Sequence, residues 1–180
     1  DITRQKEAEQ KLKITQFGID HSQIGVMQLN DRGNIYYANH YACQSLGYSH
    51  AEMLRLSIVD INPNFDFAKW KKHRRLTKNS GYRMIETVHK HKNGTLVPVE
   101  ITINYLEFED EGFSFSFIKD ISERKKAEEA IRESEERFRR IFEEGLIGIT
   151  IITPNLEVKA ANPAFCEMTG YDEEELRDMG

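Results

Sequence analysis

Proline, tryptophan and cysteine are all scarce in this chain of 180 residues, which holds four prolines, one tryptophan and two cysteines. Two cysteines do not make a disulfide framework and suit a reducing compartment, so a cytoplasmic setting is expected. No apolar run approaches the roughly 20 residues that a bilayer crossing requires, and no membrane segment is expected. A basic excess is missing too. The net charge is −5, whereas a nucleic-acid-binding face normally needs the opposite sign, so no nucleic acid is expected as a partner. Catalytic signatures are absent: no Gly-rich phosphate loop, no Ser-His-Asp order, no histidine in a kinase phosphoacceptor context. The chain begins without methionine and has a mean hydropathy of −0.61, as expected of a soluble segment excised from a longer protein. Its length leaves room for one domain of about 100 to 120 residues with helical extensions.

What is present is repetition. Residues 120–144, DISERKKAEEAIRESEERFRRIFEE, contain neither Gly nor Pro. Asp120 with Glu123 reads as a capping box. Ala127, Ile131, Ser134, Phe138 and Ile141 are spaced 4, 3, 4 and 3, one helical stripe at the coiled-coil period. Glu128–Arg132, Glu133–Arg137, Glu135–Arg139 and Glu136–Arg140 place acid before base at i,i+4, which supports an exposed helix. The element recurs upstream: DITRQKEAEQKL at 1–12 echoes DISERKKAEEAI at 120–131. Its seam is Ala8, Leu12, Thr15 and Ile19. Farther along, Gly25, Ala38, Asn39, Cys43, Gly47, Tyr48 and Glu52 recur as Gly148, Ala161, Asn162, Cys166, Gly170, Tyr171 and Glu175. A tandem array follows. Residues 1–13 are expected to end a connector helix from a preceding unit, and 14–121 to form a complete domain. Residues 122–144 read as a second connector helix, and 145–180 as the truncated opening of another domain.

Within the complete unit, residues 24–30 and 35–38 read as a hairpin. Asn39 is placed to cap a short helix that Gly47 ends. Residues 66–79 form the longest intradomain helix, with Phe67, Trp70, His73 or Arg74, and Thr77 along one side. Strands over 82–90 and 96–106 meet across Asn93-Gly94, the strongest hairpin signal in the chain. A last strand over 113–118 carries Phe113, Phe115 and Phe117 on a common face.

The order of hairpin, YANHYACQSLGYSHAEM, helix, HKNGTLVPVEITI and DISERKKAEEA resembles a PAS sensory domain with its C-terminal PAC motif. KAANPAFCEMTGYDEEEL in the second copy fits the same pattern. The resemblance implies an α+β PAS fold: a five-stranded antiparallel sheet with short helices on one face, enclosing a small cavity, then a long connector helix. It implies a sensory unit feeding an output domain, most often a two-component sensor histidine kinase and less often a diguanylate cyclase. The chain itself would then hold no catalytic residue. In that mapping Asn39 and Asn162 are helix caps, and Asp120 with Ile121 forms the signalling junction, as Asp1 does for the preceding unit.

The family binds haem, flavin, small metabolites or nothing. His73 lies on the helix from which some relatives ligate haem iron, but its neighbours, KWKKHRRLTK, argue for a solvated side chain; a haem gas sensor is the alternative reading. Cys43 lacks the Asn-Cys-Arg context of flavin photochemistry and reads as a small buried hydrophobe. His89 and His91 read as surface residues, and two ligands close no structural metal site, so no metal is expected. The aromatic residues read first as core. Tyr41, Phe67, Trp70, Ile101, Ile103, Phe115 and Phe117 are the candidates for lining a ligand cavity. No cofactor is the expectation, with a small-molecule ligand allowed and haem and flavin disfavoured. The seam of Ala127, Ile131, Ser134, Phe138 and Ile141 predicts a homodimer with parallel connector helices. Adjacent PAS units and a downstream output domain are the other expected partners. A ligand-free dimerisation spacer is the remaining alternative.

Overall fold

The structure, a computed structural model, describes residues 2–108 and 111–178, with the side chains of residues 2, 3, 12 and 108 set aside. Asp1, expected at an upstream junction, lies outside the described residues. The chain divides into two compact units, 1–125 and 126–180.

The first unit runs α1 (Ile2–Asp20), β1 (Gly25–Leu29), β2 (Ile35–Ala38), α2 (His40–Leu46), α3 (His50–Met53) and α4 (Ile58–Ile61). It continues through α5 (Phe67–Ser80), β3 (Tyr82–Lys90), β4 (Leu96–Phe108) and β5 (Glu111–Asp120) into α6 (Ser122–Glu144). The expected boundary between residues 13 and 14 falls inside α1, which continues through Gly18 to Asp20.

The five strands form one antiparallel sheet in the order β2-β1-β5-β4-β3. The last strand in sequence is therefore the central one in space. Met27, Leu29, Val99, Ile101, Ile103 and Ile118 on the sheet meet Leu46, Met53, Ile61 and Trp70 from the helices in one core. Each such side chain contributes roughly 1.5–3 kcal/mol by leaving water.

The face of β5 corrects an expectation. Phe113, Phe115 and Phe117 do share a side, as strand alternation requires, but it is the side away from the core helices. Ile101 pairs with Ile118 and Ile103 with Ser116, so the inward residues of β5 are Ser114, Ser116 and Ile118. Phe117 lies opposite Thr102 on the outer face and is 42% exposed.

On α5, Asp66 accepts a hydrogen bond from the Lys69 amide and starts the helix, and Gly81 ends it in the left-handed conformation. Trp70 and Thr77 are buried, and His73 and Arg74 half-buried. Phe67, expected on that stripe, is 64% exposed. Phe65, just ahead of the helix, packs on the core in its place.

The second unit holds most of α6, then β6 (Thr150–Ile152), β7 (Val158–Ala161), α7 (Pro163–Thr169) and α8 (Glu173–Asp178). β6 and β7 pair antiparallel, and Asn162 and Gly170 flank α7 as Asn39 and Gly47 flank α2. No helix of the described residues is long and apolar enough to cross a membrane.

Candidate functional site

The passage from β5 to α6 is tightly bonded. Asp120 pairs with Val99 at the end of the sheet, and its carboxylate accepts the Ser122 amide at 2.7 Å. One of the four amides that a helix start leaves unpaired is thereby satisfied. Ile121, between them, is 3% exposed. Its amide donates to the Pro98 carbonyl at 3.1 Å, and its own carbonyl accepts the Lys125 amide at 2.9 Å.

An ionic clamp follows that the sequence reading did not name. Arg124 Nη2 lies 2.9 Å from Glu86 Oε1 and 3.7 Å from Glu100 Oε2. Lys125 Nζ lies 2.8 Å from Glu86 Oε2. Glu86 and Glu100 stand directly opposite each other on β3 and β4, a like-charge pair that is unfavourable alone. The cations of α6 offset that repulsion, and hydrogen bonds from Lys125 and Arg124 hold the Glu86 carboxyl below its usual pKa. Finding the clamp from sequence would require the β3–β4 register, which brings together acids 14 positions apart in the chain.

Beyond the clamp, α6 has no buried residue among those described. The seam of Ala127, Ile131, Ser134, Phe138 and Ile141 lies open, with Ile131 60%, Phe138 54% and Ile141 55% exposed. Arg132 pairs with Glu129 and Glu136 along the helix, and Phe138 stacks on Phe142 at 5.5 Å.

Asn39 does more than cap α2. Its side-chain oxygen accepts the amides of Val26 at 2.9 Å and Ala42 at 3.0 Å. Its nitrogen donates to the carbonyls of Ile19 at 2.8 Å and Ile24 at 3.0 Å. One buried side chain thus joins the last turn of α1, the start of β1 and the start of α2. Asn162 repeats the arrangement, accepting from Ile149 and Phe165 and donating to Ile147. The cap was legible from sequence. The grip on α1 was not, because it depends on where the incoming helix ends.

The seven candidate cavity residues are not gathered around one space. Trp70, Ile101 and Ile103 are buried in the core and Tyr41 is half-buried on α2. Phe67 faces solvent, and Phe115 and Phe117 lie on the outer face of the sheet. A cleft of ≈820 Å³ opens elsewhere, lined by Gln16, Asp20, Tyr37, His40 and Tyr48 among others. Gln16 Nε2 donates to the Tyr37 hydroxyl across it at 2.6 Å.

Two histidines depart from expectation. His89, read as a surface residue, is 1% exposed and neither ring nitrogen has a partner among the described residues. It shares the inward side of β3 with Ile85 and Thr87, facing Val97 across the ladder. The polar character of both faces of β3 hid that direction in the sequence. Burial pulls its pKa down to about 4. His73, read as solvated, is half-buried, and burial with the nearby charge of Arg83 lowers it to about 4. Its ring lies 5.3 Å from that of Phe65 and 6.4 Å from that of Trp70. His73 Nε2 is buried with no hydrogen-bond partner among the described residues. Cys43 is unpaired and buried, and desolvation followed by the charge of Asp20 pushes its thiol up.

A PAS domain family model matches residues 23–123, and a second PAS domain model matches residues 136–180. Over 94 residues the chain is 33% identical to the methyl sulfide methyltransferase-associated sensor of Methanosarcina acetivorans, a match covering 52% of this chain and 9% of that protein. Over 155 residues it is 30% identical to sporulation kinase E of Bacillus subtilis, covering 83% of this chain and 20% of that protein. The chain thus spans a fifth or less of the length of these relatives. Among solved structures, the PAS domain of an HTR-like protein from Haloarcula marismortui superposes with a TM-score of 0.59 at 24% identity, covering 67% of this chain and all of that one. A PAS domain from a two-component sensor histidine kinase gives 0.56 at 22% identity, covering 63% and 98%. At those identities the likeness is one of fold.

Proposed function

The chain belongs to the PAS domain family, and from that premise we propose that it is a relay module of a larger sensor histidine kinase. The similarity to sporulation kinase E supports a kinase as the output. Two unpaired cysteines are in keeping with a cytoplasmic module. The observation that carries the reading is the junction. Asp120, Ile121, Arg124 and Lys125 tie the first turn of α6 to β3, β4 and β5 at once.

The relay is a population shift. A ligand, or the state of a neighbouring unit, displaces the central strand β5. Asp120 and Ile121 move with it, and α6 follows as a small rotation or translation. A differential of about 1–3 kcal/mol between two states is enough to bias the output. The exposed seam of α6 supports a parallel homodimer through which the shift passes onward. Input from upstream arrives through α1, whose Ile19 carbonyl is held by Asn39.

The test is Asp120→Ala in the full-length protein, with autophosphorylation measured with and without stimulus. Loss of the cap costs about 1 kcal/mol, and output becomes independent of stimulus. Unchanged coupling in a folded variant would refute the relay.

A further inference from the structure

The exposed face of α5 belongs to neither the junction nor the core. Its 14 residues carry six Lys or Arg and no acid, in a chain whose net charge is −5. Lys71 and Arg75 are i,i+4 and Lys72 and Arg75 are i,i+3, spacings at which like charges oppose the helix. Lys69 and Lys71 also sit near the positive end of its dipole, where cations are disfavoured. Among the described residues, Arg74 is compensated by Asp31 and Lys78 by Glu107, while Lys71, Lys72 and Arg75 form no ion pair. The three border a shallow groove of ≈540 Å³ over Ala68. Phe67 and Leu76 are also exposed, at 64% and 42%, but they lie nine residues apart on opposite sides of the helix, and neither lines the groove.

We propose that this face of α5 docks an acidic helix of a partner protein. Charge complementarity names the occupant. Lys71, Lys72 and Arg75 fall within about 6 Å of helix rise, which suits carboxylates one turn apart on another helix better than a long phosphate ladder. The face accepts carboxylates within its own fold already, through Arg74 and Lys78. This inference is independent of the relay and stands or falls apart from it.

The experiment is fluorescence anisotropy of the 180-residue chain with a labelled helical peptide of two Glu-Glu-Leu-Ala-Glu-Glu-Ala repeats, at about 50 and about 300 mM salt. Parallel titrations use an oligothymidine and vesicles containing phosphatidylserine. One variant combines Lys71→Glu, Lys72→Glu and Arg75→Glu. A control combines Lys6→Glu, Lys11→Glu and Lys159→Glu, which changes the net charge equally. The expected result is salt-sensitive peptide binding, weakened about tenfold or more by the α5 variant and little by the control. Thermal melts check that the α5 variant stays folded. No peptide binding, equal weakening in both variants, or tighter binding of the oligothymidine or the vesicles would overturn the proposal.

Discussion

His89 is buried without a hydrogen-bond partner among the described residues, and its neutrality shapes the pH dependence of the fold. Its folded pKa, about 4, lies below the unfolded 6.5. Between those values the unfolded chain takes a proton that the fold refuses. Stability is therefore full above pH 6.5 and declines as pH falls toward 4, by up to about 1.4 kcal/mol per pH unit from this group. Urea midpoints of the native chain and of His89→Leu, measured from pH 7 to 4.5, check this. The native chain should lose more stability toward acid than the variant, since carboxylate titrations common to both cancel; parallel curves would contradict it. Asn39 is the opposite case, a buried polar side chain with its capacity filled. Asn39→Ala would leave buried amides and carbonyls unpaired, at about 1–3 kcal/mol for each group. Asn39→Asp keeps the accepting oxygen yet loses the donations to Ile19 and Ile24. Hydrogen exchange should then quicken in the last turn of α1 more than in α2.

Elements were the most legible level. The hairpin across Asn93-Gly94, the cap at Asn39, the stop at Gly47 and the helix after Asp120 all follow from local chemistry. Which face each element turns inward was less legible wherever both faces carry similar residues. β5 alternates Phe with Ser, and the larger residue faces outward; β3 mixes polar and apolar side chains on both sides, and a histidine goes in. Gly47 shows how local and tertiary demands coincide. It closes α2 at φ +73°, and a Cβ there would lie 2.5 Å from the His91 ring. Gly47→Ala is expected to cost about 1–2 kcal/mol, read as a fall in melting temperature with the helical signal retained. The clamp of Arg124 and Lys125 on Glu86 and Glu100 was invisible in sequence because it joins three elements at once.

At the scale of the whole molecule, two PAS matches in tandem are linked by a helix whose apolar seam is open. Coiled-coil contacts between copies would cover that seam. Ile131→Cys is expected to form a disulfide-linked dimer under mild oxidation, and Glu135→Cys, off the seam, much less; equal cross-linking at both positions would argue against parallel pairing. The central position of β5 is what makes the relay mechanically reasonable, since both neighbouring strands register any movement of it. The most direct measurement is hydrogen exchange along α6 after Ile118→Ala, a change in the core beside Ile101. The relay predicts faster exchange in β5 and also in the first two turns of α6, with the last two turns of α6 much less affected. Faster exchange in β5 with α6 unchanged would contradict it.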